Sequence, residues 1–325
     1  MKIYIKRLYV VCHKEGVVKF EFWVFIKGVL MGAADIVPGV SGGTVAFITG
    51  IYERLLNALK MVLPSFIEML KTKKIKAFLE NSDFVFLITL FSGILLSVVS
   101  LAKIISFLMV NYPIPLWSGF FGLILASIFV VAKDIKQWSV VLIGCVILGA
   151  LVAWGITQLS PASIPKNAFT IFFSGMIAIC AMVLPGISGS FILVILGSYA
   201  WVLEAIKLFE WSTLGLFVSG CLLGLLSIAN ILSWAFNKFK DITLALLIGF
   251  MLGAMVKVWP WREVLTFREN SAGLSIPLTD RPVLPTTFEF ISGSESQLLL
   301  AVFCSVLAAL LVYLLSHMAE KNKSD

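Results

Sequence analysis

FIKGVLMGAADIVPGVSGGTVAFITGIYERLLNALK, residues 25–60, and FFSGMIAICAMVLPGISGSFILVILGSYAWVLEAIK, residues 172–207, decide how this chain is read. Aligned without gaps at a shift of 147, they share Phe, Gly, Ala, Pro-Gly-x-Ser-Gly, Ile-x-Gly-x-Tyr and a closing Leu-x-Ala-x-Lys. Further along, SGILLSVVSLAKI at 92–104 matches SGCLLGLLSIANI at 219–231 at a shift of 127, and Gly122 and Leu125 match Gly249 and Leu252 at that same shift. The difference is the basic stretch around Lys71, Lys73, Lys74 and Lys76, present in the first half alone. A match this long marks an internal duplication, with repeat 1 over 22–157 and repeat 2 over 168–316.

The chain around these segments is membrane protein throughout. Of 325 residues 60% are apolar and 13% charged, against about a quarter charged in a soluble domain, and mean hydropathy is +1.02. A soluble enzyme and a nucleic-acid binder are excluded first. Six apolar runs are long enough to cross a bilayer: 84–110, 115–132, 139–157, 212–236, 242–258 and 297–316. The regions 22–52 and 168–206 are instead interrupted by Pro38-Gly39 and Pro185-Gly186, leaving arms of about 15 residues, marginal for a span. Each is either a pair of short transmembrane helices or a re-entrant hairpin of two half-helices, and arm length favours the hairpin. Both return the chain to the side it came from.

Basic residues set the orientation. With the N-terminus in the cytoplasm, segments 1–19, 54–83, 133–138, 237–241 and 317–325 face inward and carry seventeen Lys and Arg. The outward segments carry six: Lys166, Lys207, Lys257, Arg262, Arg268 and Arg281. That bias is the positive-inside pattern, and it puts both termini inside and the polar segment 259–296 outside. That loop either covers an outward entrance or is a connector, with Trp259, Trp261 and Phe267 placed to hold it at the membrane interface. The first 20 residues read as a basic interfacial segment, since Lys6, Arg7 and His13 to Glu15 cut them into runs too short for a signal-peptide core.

One Pro-Gly region and three spans per repeat give an odd number of crossings, so the second repeat enters from the opposite face. The expected fold is an all-α polytopic protein, one transmembrane domain over 1–325 built from two inverted-topology repeats. Inverted repeats with broken helices characterise transporters.

The breaks carry the chemistry. In Pro38-Gly39-Val40-Ser41-Gly42-Gly43-Thr44 and Pro185-Gly186-Ile187-Ser188-Gly189-Ser190, proline stops the incoming helix and glycine frees the backbone to turn. Ser or Thr then either caps the next helix or hydrogen-bonds a ligand. Amides at a helix start favour anions, and phosphate fits best. Tight turns between packed helices are the alternative for one such motif; two copies at related positions inside lipid favour a site. Lys27 and Asp35 lie eight positions apart on similar faces of the first arm. Asp35, three residues before the break, is a candidate for proton or sodium coupling or for pairing with Lys27. Glu53 and Arg54 end the first hairpin and read as either site residues or an interfacial pair. Glu204 falls in the second hairpin, Lys103 lies well inside its apolar run, and Asn230 is its counterpart. Buried ionisable groups in a membrane are costly and usually functional.

The remaining features are plainer. Gly28-x3-Gly32, Gly220-x3-Gly224 and Gly249-x3-Gly253 indicate close helix packing, and Lys71 to Lys76 suit an anionic inner leaflet. Cys12, Cys145, Cys180, Cys221 and Cys304 have no CxxC spacing and read as free thiols. With only His13 and His317, near opposite ends, a zinc site or histidine-based triad has nothing to build on.

GAADIVPGVSGGTVAFITGIYERLL at 32–56 and ICAMVLPGISGSFILVILGSY at 179–199 resemble the two hallmark segments of the bacterial polyprenyl-phosphate transporter family (PopT), and the match spans both halves. The resemblance implies return of undecaprenyl phosphate from the outer to the inner leaflet of the cytoplasmic membrane for reuse in peptidoglycan and other envelope polymers. The tail would stay in lipid while the phosphate crosses at the paired breaks, and no cofactor is needed. The competing enzyme, an undecaprenyl-pyrophosphate phosphatase, has Pro-Gly-x-Ser-Arg-Ser-Gly; here Gly42 and Gly189 replace the arginine that would clamp a transferring phosphoryl group. A carrier of another anion is the second alternative. The sequence specifies no oligomeric state.

Overall fold

The computed structural model describes residues 21–36, 40–159, 161–162, 164–269 and 275–324, so the N-terminal segment and Pro38 and Gly39 lie outside the described residues. The first hairpin region forms α1 (Phe22–Ile36), α2 (Gly42–Ile48) and α3 (Tyr52–Thr72), followed by the short α4 (Ile75–Asn81). Three longer helices follow, α5 (Phe84–Asn111), α6 (Pro113–Lys133) and α7 (Val140–Gln158). The second hairpin region forms α8 (Ala168–Val183), α9 (Gly189–Ile195) and α10 (Tyr199–Lys207), then α11 (Trp211–Lys238) and α12 (Lys240–Ala254). After the loop elements β1 (Arg262–Glu269), β2 (Ser275–Pro282) and α13 (Pro285–Ser292), α14 (Leu298–Ser324) ends the described chain.

Among the described residues, five helices are long and apolar enough to cross a membrane: α5, α6, α7, α11 and α14 over Leu298–His317. The chain is therefore a multi-pass membrane protein. The sixth expected span, 242–258, yields only the 15-residue α12, about 22 Å of helix against a hydrocarbon core of about 30 Å. Nine of those residues are buried. Helix α12 is wrapped by protein, which relieves it of matching the bilayer.

Both hairpins depart from two simple arms. The second arm in each is a seven-residue helix that stops at the shared Ile-x-Gly-x-Tyr, where Gly50 (φ 72°) and Gly197 (φ 68°) take the left-handed conformation that glycine allows. Beyond that turn in the second hairpin the axis changes sharply, α9 and α10 being bent by 111°. The motif that looked like the continuation of an arm is its end.

Lipid tails are as apolar as leucine, so contact between helices rests on close van der Waals approach, which small residues permit. A side chain at Gly28 of α1 would strike the Leu90 carbonyl of α5, and one at Gly93 the Phe25 carbonyl. In the second half a side chain at Gly175 of α8 would strike the Phe217 carbonyl of α11, and one at Gly220 the Phe172 carbonyl. These contacts are the same pairs displaced by 147 on one helix and 127 on the other. The remaining helices pair across the halves: α6 packs on α14 through Gly122 and Ser305, and α12 on α7 through Gly249, Val146 and Gly149. The three small-residue patterns thus all mark seams.

The segment 259–296 adds a β element to a fold expected to be all helical. β1 and β2 form an antiparallel hairpin pairing Arg262 with Pro282 and Glu269 with Ser275. Its tryptophans serve the protein rather than the membrane interface. Trp261 is buried with Ile114 and Ala301 and donates to Ser296 O at 2.9 Å. Trp259 donates to Val283 O at 2.8 Å and meets Phe121 edge-on. An indole in such a pocket satisfies its N–H on backbone while its ring fills the gap between helices.

Candidate functional site

The two breaks meet. Helix α8 ends at Val183 because Pro185 has no N–H to continue the ladder, leaving its last carbonyls without helical partners. The first repeat supplies them. Ser41 Oγ lies 2.9 Å from Met182 O and 3.2 Å from Leu184 O, and Tyr52 Oη donates to Val183 O at 3.1 Å. In return Gly186 N donates to Thr44 Oγ1 at 3.2 Å. Gly186 has φ 89° and a Cβ there would lie 2.9 Å from Met251 Cα, so both its turn and its packing on α12 require glycine.

Ser41 also caps α2, accepting from Gly43 N at 3.1 Å. Its hydroxyl is thus a cap and a strut together. Asp35 Oδ1 accepts from Gly42 N at 2.7 Å, so a carboxylate of the chain already occupies the first amide of α2. A Cβ on Gly42 would lie 2.5 Å from Asp35 Oδ2, which is why the glycine there keeps the carboxylate close.

The second break differs. The position of Asp35 is held by Met182, that of Thr44 by Phe191. Ser188 caps α9 without a side-chain bond to its amides, and its hydroxyl is 3.0 Å from that of Ser190. A small pocket opens beside it, lined by Gly186, Ser188, Phe191, Thr157 of α7 and Lys257 after α12. Ser41, Gly42 and Thr44 after the first break are each held by hydrogen bonds, whereas Ser188 after the second lines a small pocket. Lys257 gave no signal as a site residue in the sequence, where it counts only among the outward basic residues; the fold folds it back over Phe191, its Nζ 5.1 Å from the ring centroid.

Lys257 belongs to a charge cluster on the loop. Asp280 on β2 accepts from Lys257 Nζ at 3.1 Å and from Arg262 Nε and Nη2 at 2.7 and 2.8 Å. Burial works to raise the Asp280 carboxyl's pKa, and the Arg262 hydrogen bonds and charge together with Lys257 outweigh it, holding the group below the usual aspartate range.

The other candidates lie apart from this junction. Lys27 Nζ donates to Thr49 O at 2.8 Å, at the end of α2; along α1 it stands about 12 Å from Asp35. Arg54 is engaged by two carboxylates, Nη1 and Nη2 on Glu21 at 2.8 and 2.6 Å and Nε on Asp83 at 2.6 Å, with its guanidinium 4.2 Å from the Phe86 centroid. Glu53 pairs with Lys240 at 3.3 Å rather than with its neighbour. Lys103 and Glu204 are exposed on α5 and α10, and Asn230 is exposed with Nδ2 on Leu226 O of its own helix at 2.8 Å. Lys103 lies well inside its apolar run in the sequence, and the fold leaves it on the outer surface of α5. Helix α5 has 28 residues, about 42 Å, so it overreaches the core and a lysine eight residues from its end can extend its stem to the interface.

Comparison with known proteins gives the chain its relatives. The family model VCA0040-like, described as undecaprenyl phosphate translocase-like, matches residues 31–276. The chain is 47% identical over 297 residues to the polyprenyl-phosphate transporter of Vibrio cholerae serotype O1, covering 91% of this chain and 96% of that one. It is 32% identical over 276 residues to the polyprenyl-phosphate transporter of Staphylococcus aureus, covering 74% and 87%. No solved structure matches. These relatives are transporters by name, which separates the chain from the phosphatases, as the missing arginine at Gly42 and Gly189 does. The chain belongs to the undecaprenyl phosphate translocase-like family.

Proposed function

We propose that this protein carries polyprenyl phosphate between the leaflets of the bacterial cytoplasmic membrane, returning the lipid carrier from the outer to the inner leaflet for cell-envelope synthesis. The phosphate passes at the junction of the two helix breaks, near mid-membrane, while the polyprenyl tail stays in lipid. The observation that carries this reading is the meeting of the breaks: Ser41, Thr44 and Tyr52 of the first half bond Met182, Leu184, Gly186 and Val183 of the second. Irregular backbone at membrane depth belongs where it is buried in protein or lines a cavity, and here it does both. The names of the two relatives supply the substrate.

The recurrence of the Gly28–Leu90 and Gly93–Phe25 contacts as Gly175–Phe217 and Gly220–Phe172 supports the two repeats, the odd number of expected crossings per repeat supports their inverted topology, and the seven-residue α2 and α9, with the 111° bend after α9, support re-entrant hairpins. Both termini then lie in the cytoplasm, with the inner face set toward anionic lipid by Lys71, Lys73, Lys74 and Lys76. Asp35 is the coupling candidate. Its carboxylate sits on an amide of α2, so an incoming anion competes with it, and a proton or sodium ion taken up there would ease that competition.

The test is leaflet exchange in liposomes carrying undecaprenyl phosphate in both leaflets, followed with an impermeant phosphate-binding probe, with released phosphate assayed in the same sample. Faster exchange without phosphate release is the expected result. Phosphate release from the pyrophosphate form without exchange would establish the enzyme instead, and exchange of unrelated anions alone would establish a different carrier.

A further inference from the structure

The charge cluster beside the second break is unbalanced. Asp280 is bound in two places by Arg262, whose Nη1 also donates to Val256 O at 2.6 Å, so arginine and aspartate form a fixed pair. Lys257 adds a second cation to that one carboxylate through a single contact of 3.1 Å. The three groups together carry one surplus positive charge. The nearby Glu263 is taken by Arg281 at 2.6 Å and does not offset it. A planar guanidinium matches a carboxylate with two parallel bonds, whereas an ammonium is a point charge on a flexible stem. Lys257 is therefore the mobile member, and the pocket it lines holds the Ser188 hydroxyl and the Phe191 ring. The remaining pocket walls include the apolar Ala153, Ile156 and Ala254.

Resting on the transport reading above, we propose that Lys257 is the headgroup receptor on the loop side: its ammonium leaves Asp280 for the phosphate monoester of an incoming prenyl lipid, which Ser188 then binds from the break. Asp280 holds the lysine over the pocket when no lipid is present and acts as the competing anion. The lipid is chosen over free phosphate because cation and hydroxyl are set among apolar walls. Loading exchanges one anion for another on Lys257, so no charge is left unpaired in a poorly solvated place, and release restores the ion pair.

Full-length protein in nanodiscs tests this with farnesyl phosphate as probe and inorganic phosphate and farnesol as controls, measured by calorimetry alongside thermal stability. Lys257→Gln is expected to weaken farnesyl phosphate binding about tenfold or more, about 1.4 kcal/mol, and to leave farnesol binding unchanged. Lys257→Arg restores part of the loss. Asp280→Asn is expected to tighten binding several-fold, because the competitor is gone. An ion pair that only stabilises the loop predicts that Lys257→Gln and Asp280→Asn weaken binding alike, and that result overturns the proposal. Inorganic phosphate binding as tightly as farnesyl phosphate overturns the lipid assignment. Should Asp280→Asn fail to fold, equal affinity in Lys257→Gln and wild type is the overturning result. Wild-type protein that binds no prenyl phosphate would instead remove the transport reading on which this one rests.

Discussion

Thr44 Oγ1 accepts a hydrogen bond from Gly186 N at 3.2 Å, across 142 residues of sequence. The threonine is fully buried, and its partner is the amide freed by the Pro185 turn. The position equivalent to Thr44 in the second half is Phe191, which has no hydroxyl to return the bond. A duplicated sequence has therefore produced an unequal pair: one break fastens the other.

Removing that fastening should loosen the junction without removing any group from the pocket that Lys257 lines. Thr44→Val and Tyr52→Phe are each expected to cost about 0.5–2 kcal/mol, the range of hydrogen bonds between helices in membranes. Thermal unfolding followed by thiol labelling reads this well, since Cys180 lies on α8, with its Sγ 3.4 Å from Gly224 O. Both variants should become label-accessible at lower temperature than wild type.

Ser41 and Ser188 occupy matching positions but should fail differently. Ser41 caps α2 and ties it to α8, so Ser41→Ala should lower thermal stability by roughly 1 kcal/mol. Ser188 stands at the cap of α9 but its side chain bonds none of that helix's amides and lines the pocket, so Ser188→Ala should leave stability within about 0.5 kcal/mol of wild type and weaken prenyl phosphate binding. Equal loss of affinity in the two variants, with stability unchanged in both, would return Ser41 to the role of ligand.

Arg54 should behave as a clamp. Its guanidinium joins Glu21 and Asp83, a geometry that lysine cannot reproduce. Arg54→Lys is expected to lower the unfolding temperature and leave the affinity for farnesyl phosphate unchanged. A fall in affinity at unaltered stability would place the guanidinium on the substrate.

Asp35→Asn should change how transport depends on pH or sodium, read as exchange rate in liposomes across a pH series with and without sodium. An unchanged dependence would leave Asp35 as a cap for Gly42 N and nothing more.

The loop cluster has its own pH signature. Because the folded protein holds Asp280 below the ordinary aspartate value, its contribution is complete above about pH 4 and is lost as pH falls through the lower folded value. Wild-type protein should therefore show an acid-induced loss of loop structure that Asp280→Asn lacks, measured by Trp259 and Trp261 fluorescence.

Composition alone decided that the chain lives in a membrane, because no soluble fold can carry this little charge over so many apolar residues. The two Pro-Gly segments were legible as breaks since proline removes a donor and glycine permits the turn wherever they stand. The small-residue patterns announced helix seams for a similar reason: close approach depends on the absence of a side chain, which is written in the sequence. Partners were not legible. Arg54, Lys103 and Asp35 are all charges in apolar surroundings, yet one is clamped by two carboxylates, one is exposed on a helix that overreaches the bilayer, and one sits on a backbone amide. Which of these holds depends on what the fold brings alongside. Lys257 makes the same point from the other direction: as a lysine after an apolar run it carries no signal, and only the return of the loop through Asp280 and the approach of Phe191 place it at the pocket. Local backbone chemistry is fixed by neighbours in sequence, whereas the meaning of a charge is fixed by neighbours in space.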